Sequence, residues 1–184
     1  MMSPKVKSYI DQYLESLHKF FLDRGEYMAQ ITIFATSKDG QLIIMPMILP
    51  PQVMQDDQAK DRFIQHELPK IARATVKHLK VEAVLFGTEA WIREAANEEV
   101  EKIGRENYRQ LPITGEVVII YVQHEEDEKC HVYDIHRVGK KVNEDGDLFD
   151  EVTLTVNDKL TGNMQGGRFA GLYKIFNDAS LNHS

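Results

Sequence analysis

The stretch that decides the fold is Glu116–Val138, which reads EVVIIYVQH, then EEDEK, then CHVYDIHRV. Two apolar segments around a short acidic run are the pattern of a β-hairpin. Because Val117–Val122 is apolar at every position, both faces of this strand should be covered, which predicts a place in the middle of a sheet. The hairpin also holds a dense group of chemically able side chains: His124, Cys130, His131, Asp134 and His136.

These side chains do not form a metal site in an unbroken strand. A tetrahedral site needs three or four ligands around one point, but Cys130 and His136 are six residues apart, roughly 20 Å at ~3.3 Å per residue. His131 and His136 fall on opposite strand faces. No local helix N-terminus or cationic cluster would activate the Cys130 thiol. We therefore expect neither a metal nor a cofactor.

The charge of the chain is concentrated in one region. Residues 124–151 hold ten acidic and four basic side chains, so they carry −6 of the net −7. A dense basic cluster that could neutralise phosphates is missing, which argues against nucleic-acid binding. No apolar run approaches the ~20 residues of a membrane helix, the N-terminus has no signal-like segment, and one cysteine allows no intrachain disulfide. A cytoplasmic protein is expected.

The pattern of elements predicts one α+β domain over residues 1–184. An apolar stripe predicts an N-terminal helix over residues 1–24. Strands follow at 27–36 and 42–49 around the Asp39-Gly40 turn, with Pro46 favouring an edge position or a bulge. A helix after Asp56 or Asp57, interrupted at Pro69, leads to the next strand.

The second half predicts a strand at 81–87, a charged excursion at 93–114 that is flexible in part, the hairpin, a strand near 152–156 and a C-terminal helix. Together these give a single mixed, mostly antiparallel sheet of five to six strands. Its core order is β-β-α-β-β-β, with helices at both termini and one crossover helix.

The segment Val84–Ile92 reads VLFGTEAWI and precedes a long polar excursion and a strong strand that enters an acidic turn. Over residues 60–138 this resembles an uncharacterised bacterial and phage α+β family with a strand–Glu-Ala-Trp–loop–strand arrangement. No activity is known for that family. The resemblance implies a fold relationship and no function.

Two places are candidate sites. Glu89 and Trp91 follow a strand end, where functional side chains often lie, and Glu89 could act with His124 or His136. The glycine-rich segment 161–168 precedes the last helix, so its backbone N–H groups could hold an anion. The candidate ligand-binding residues are Gly166, Gly167, Arg168 and Trp91.

No catalytic signature occurs in the sequence. The leading hypothesis is a non-catalytic cytoplasmic binding or assembly module that self-associates. The doubly apolar strand needs cover on both faces, by a second helix or by a partner subunit, and the terminal helices carry apolar faces. The first alternative is a hydrolase-type enzyme with a pocket near Glu89 and a hairpin histidine. The second is a small anion or nucleotide binder at residues 161–168.

Overall fold

The computed structural model describes residues 1–22, 24–93, 95–163 and 167–181. Its strands are β1 (Gln30–Thr36), β2 (Leu42–Ile48), β3 (Lys80–Ile92), β4 (Gly115–Gln123), β5 (Glu128–Val142), β6 (Leu148–Val156) and β7 (Gly162–Asn163). Six of them form one sheet in the order β2-β1-β3-β4-β5-β6, and β7 adds a short pairing to β5. All neighbouring strands are antiparallel. The predicted α+β class and the central position of β4 are confirmed.

Helices occur before, between and after the strands. They are α1 (Pro4–Glu15), a 3-10 helix (Leu17–Phe21), α2 (Asp57–Arg62), a π-helical turn (Phe63–Glu67), α3 (Leu68–Thr75), α4 (Asn97–Ile103), a 3-10 segment (Arg105–Gln110) and α5 (Leu172–Leu181). The Ser3 hydroxyl accepts from the Val6 N–H at 3.4 Å and caps α1. At its other end, α1 stops at Glu15, earlier than expected, and a 3-10 helix follows Ser16.

The first hairpin places Pro46 on an open edge. Gly40 adopts a φ of +80° in the turn between β1 and β2, as the Asp-Gly pattern predicts. The Leu49 N–H donates inward to the Ala29 carbonyl at 2.8 Å. Since N–H directions alternate along a strand, the Pro46 nitrogen points outward. Proline thus removes one donor from the free edge of β2.

The crossover from β2 to β3 passes through α2 and α3. The Asp56 carboxylate accepts from the Ala59 N–H at 2.7 Å and caps α2. A π-helical turn then precedes α3, where Pro69 occupies the first helical turn. The predicted interruption is therefore present as an extra-wide turn, which accommodates a residue that cannot donate to the helix ladder.

The chain itself covers both faces of the sheet. On one face, here called the α1 face, α1 and the 3-10 helix pack on Val118, Ile120 and Val122 of β4. On the other, here called the α5 face, α3 and α5 pack on β1 and β3 around Phe86 and Phe176. On the α5 face of β4, Val117 is buried, and Tyr121 packs partly against the core.

The start of α5 is fixed by two side chains of the hairpin. Gln123 is fully buried; its amide donates to the Phe169 carbonyl at 2.6 Å and accepts from the Tyr173 N–H at 3.2 Å. The Glu128 carboxylate accepts from the Gly171 N–H at 3.0 Å. These bonds satisfy backbone groups that a helix end leaves unpaired.

Two predicted boundaries differ from the structure. The strand expected at 81–87 continues to Ile92, because Gly115–Gln123 pairs with it along its whole outer half. The described part of 93–114 contains α4 and the second 3-10 segment. The flexibility of this excursion stays a prediction.

Candidate functional site

Glu89 faces the α1 face from β3. Its Oε1 accepts from the Tyr27 N–H at 2.6 Å. Burial raises the pKa of the Glu89 carboxyl, although this hydrogen bond and the nearby Arg137 act in the opposite direction. The carboxylate therefore has a structural partner.

The structure does not bring Glu89 together with either hairpin histidine. Glu89 pairs with Val118, and His124 lies six residues further along the chain, roughly 20 Å at ~3.3 Å per residue. His136 is exposed, and its Nε2 lies 2.8 Å from the Thr155 hydroxyl. Since its neighbour Ile135 packs into the α1-face core, alternation directs His136 to the other face. The acid–histidine pair is not assembled.

Trp91 is on the surface. Its exposed fraction is 67%, so it does not contribute to the core as a strand-end tryptophan usually does. It borders a cavity of about 230 Å³ with Glu89, Ala90 and Glu116. Glu116 is held by an ion pair to Arg137 Nε at 2.8 Å.

The structure describes part of the predicted anion loop, residues 161–168. Gly166 lies outside the described residues. Gly167 and Arg168 line a cavity together with Lys60. Two amides at the start of α5 already have acceptors, since Glu128 accepts from Gly171 and Gln123 accepts from Tyr173.

A larger site lies on the α1 face, between α1 and the edge strand. We call it the tyrosine groove; it has a volume of about 430 Å³ and is lined by Tyr9, Gln12, Tyr13, Ser16, Lys19, Phe20, Gln30, Thr32, Phe34, Ile44 and Pro46. Aromatic and aliphatic side chains form its walls. This size is within the range of small-molecule sites, about 300–1,000 Å³.

Two uncharged polar residues lie beside Phe34 in the mostly apolar floor of the groove. Gln30 and Thr32 are buried on β1, and the Tyr13 and Tyr27 hydroxyls hydrogen-bond to each other beside them. Burial raises the pKa of Tyr13 to about 12, and it raises the pKa of Tyr27 as well. Both phenols are therefore neutral hydrogen-bonding groups near neutral pH.

The groove exists because one helix is narrower than the sheet that it covers. Six strands span about 24 Å at ~4.8 Å per spacing, whereas a helix with side chains is about 10–12 Å wide. The space towards β2 is the tyrosine groove. The space towards β6 is a second depression of about 570 Å³, lined by residues that include Leu17, Tyr133 and Leu154.

Sequence reasoning missed this groove, although one signal was available. Ile44, Pro46 and Ile48 alternate along β2 on the side that is not covered, and Ile48 is 57% exposed. Alternating apolar residues on an edge strand indicate an apolar outer face. The strand order is needed to see that α1 does not reach β2, and the sequence alone does not give that order.

Within the described residues, no group of three or more His, Cys, Asp or Glu side chains is arranged to hold a metal ion. None of the helices over the same residues has the length and apolar content needed to cross a membrane. Comparison with family models, with curated proteins and with solved structures gives no match to this chain. The geometry of the sites is therefore the basis for a proposed function.

Proposed function

We propose that the chain is a non-catalytic binding protein whose ligand occupies the tyrosine groove. The observation that carries the proposal is a mostly apolar groove of about 430 Å³ that contains two buried, uncharged polar residues, Gln30 and Thr32. Apolar walls with a few placed polar groups are the usual composition of a small-molecule site.

The lining favours a compact apolar molecule that carries one neutral hydroxyl. Phe20, Phe34 and Ile44 offer apolar surface to its body. Gln30 and Thr32 offer an amide and a hydroxyl to its polar end. A charged group at this depth would be costly to desolvate. Among the lining residues that the structure describes, the charged one is Lys19, which is exposed at the rim.

The edge of β2 supports a small ligand over an added strand. A partner strand would find no donor at Pro46, because its nitrogen faces the open side. Self-association stays a prediction. The chain covers part of the second face of β4, where Tyr121 packs partly against the α5-face core.

The other two alternatives gain less support. A hydrolase that uses Glu89 with His124 or His136 would need these groups within hydrogen-bond reach, and they lie far apart or on opposite faces. An anion binder at residues 161–168 would use the N–H groups of α5, of which those of Gly171 and Tyr173 already have acceptors.

The test is a titration with para-propylphenol, with propylbenzene as the analogue that lacks the hydroxyl. Saturable binding of the phenol should raise the melting temperature. Thr32→Val removes one hydroxyl of the floor and should weaken phenol binding by roughly two- to tenfold. Ile44→Glu places a carboxylate in the apolar wall and should weaken binding by at least about tenfold.

Ile48→Glu is the matched control, because Ile48 lies on the same strand and is exposed but does not line the groove. This variant should bind like the unmodified protein. Equal effects of Ile44→Glu and Ile48→Glu, or no saturable binding of the phenol, would contradict the proposal.

A further inference from the structure

We propose a second binding site on the α5 face, which takes a small aromatic carboxylate. The site is a cavity of about 240 Å³ between α2, the β3–β4 pair and residues 167–169. We call it the cation pocket; the residues that argue for it are Lys60, Phe86, Thr88, Tyr121, Arg168 and Phe169.

Aromatic rings form the inner wall of the cation pocket. Phe86 stacks on Phe169 with ring centroids 3.9 Å apart and on Tyr121 at 6.1 Å. Phe86 and Phe169 are buried and held by the core around α5. A flat apolar ring would find a preformed aromatic surface here, which lowers the entropy lost on binding.

Two cations provide the charged wall. Lys60 and Arg168 both line the pocket. Glu89 also borders it, but its carboxylate is bonded to Tyr27 on the other face of the sheet. Among the lining residues, the charged groups that face the pocket are therefore the two cations.

Neighbouring aspartates hold these cations in place. Asp57 lies 3.4 Å from Lys60 Nζ and 3.4 Å from Arg168 Nη1, and Asp61 lies 3.0 Å from Arg168 Nε. These pairs orient the side chains. Among the described residues, no acceptor bonds Arg168 Nη2, and the Lys60 ammonium has further donors. An anionic group in the pocket could accept from both.

The size of the pocket selects the ligand class. Its volume of about 240 Å³ is below the ~300 Å³ at which drug-sized sites begin. One aromatic ring with a carboxylate is the smallest molecule that uses both the aromatic wall and the two cations. The Thr88 hydroxyl, which donates to its neighbouring carbonyl at 3.1 Å, can still accept from a ring substituent.

The experiment follows para-fluorobenzoate by fluorine NMR, with para-fluorobenzyl alcohol and acetate as the probes that lack the charge and the ring. Para-fluorobenzoate should bind saturably and at least about tenfold more tightly than either control probe. Lys60→Ala and Arg168→Ala should each weaken its binding by about tenfold. Both side chains are partly exposed, so the variants should keep their fold, which a thermal melt checks.

Lys70→Ala is the matched control, because Lys70 is exposed on α3 and does not line the pocket. It should bind para-fluorobenzoate like the unmodified protein, and so should Ile44→Glu. The inference is overturned if binding is not saturable, if acetate binds equally well, or if both cation variants bind normally. Loss of binding in Ile44→Glu would instead assign the probe to the tyrosine groove and would also overturn it.

Discussion

The two faces of the sheet are covered in different ways. On the α5 face, α3 and α5 pack side by side and bury large side chains such as Phe176. On the α1 face, one α-helix and its 3-10 extension lie across the middle of the sheet and leave a depression on each side. The two helices of the α5 face pack closely against β1 and β3, with the cation pocket beside them, and the single helix of the α1 face leaves room for an apolar ligand.

This difference separates stability from binding. Side chains of the α5 face are removed from water and closely packed. Burial of apolar surface is the dominant favourable term in folding. Groove residues such as Phe20 and Ile44 keep much of their surface in water. Their apolar surface remains available to a ligand, because folding has not buried it.

A pair of matched truncations gives the largest expected effect. Phe176→Ala, at a residue with 0% exposure, should lower the free energy of unfolding by about 3–5 kcal/mol. Phe20→Ala, at 41% exposure, should lower it by about 1 kcal/mol, mainly through lost ring contacts with Tyr13 and Tyr27. Chemical denaturation measures both. Equal losses would mean that the α1 face is packed as closely as the α5 face.

A pair of glycines tests the packing under the groove. A Cβ at Gly87 would overlap the Tyr27 hydroxyl and come within 2.8 Å of Ile120 Cδ1. Gly87→Ala should therefore cost about 1–3 kcal/mol of stability and disturb the tyrosine pair. A Cβ at Gly115, on the neighbouring strand, meets nothing within 4 Å. Gly115→Ala should leave stability nearly unchanged, and a comparable loss would argue against the tight contact at Gly87.

Two glutamates of β3 should give opposite pH dependences. Burial alone would raise the pKa of Glu82, but hydrogen bonds from Thr36 and Ser3 together lower it. The bond from Ser3 tethers the start of α1. The stabilising effect of Glu82 should be present above the ordinary pKa and disappear as the pH falls through the lowered value. The stability advantage over Glu82→Gln should therefore shrink in acid.

Glu89 should behave in the reverse direction, since burial raises its pKa. The unmodified protein should lose stability relative to Glu89→Gln as the pH rises from the ordinary pKa through the raised one. Denaturant titrations of both variants over the acidic range provide the measurement. The same direction of change for both residues would show that one of the two environments is described incorrectly.

The smallest effect is expected at the edge of β2. Pro46→Ala restores an outward N–H on the free edge. The variant should associate more strongly than the unmodified protein in sedimentation experiments, with little change in stability. An unchanged sedimentation profile would mean that Pro46 does not protect this edge.

Much of the fold could be predicted from local patterns. The apolar stripe of the N-terminal helix, the Asp39-Gly40 turn and the doubly apolar run Val117–Val122 each depend on nearby residues, and each predicted the kind of element that the structure has. The cover of the second face of β4 depends on contacts between distant elements. The sequence therefore left open whether a second helix or a partner subunit covers β4. In the structure α1 packs on one face, and the start of α5 contacts Gln123 on the other.

The candidate sites were harder to predict for the same reason. Arg168 was found because a glycine-rich segment precedes α5, but its neighbour Lys60 is more than a hundred positions away in the chain. The hairpin histidines drew attention by density alone. Strand alternation and length then place His136 and His124 away from Glu89.

The most direct test of the account is an isotope-filtered NOE experiment on protein with labelled isoleucine methyl groups and bound para-propylphenol. Ile44 lines the tyrosine groove, whereas Ile33 belongs to the core of the opposite face. If the phenol occupies the tyrosine groove, it should give an NOE to the Ile44 Cδ1 methyl and none to Ile33. No NOE to Ile44 at saturating phenol, or an NOE to Ile33, would contradict the account.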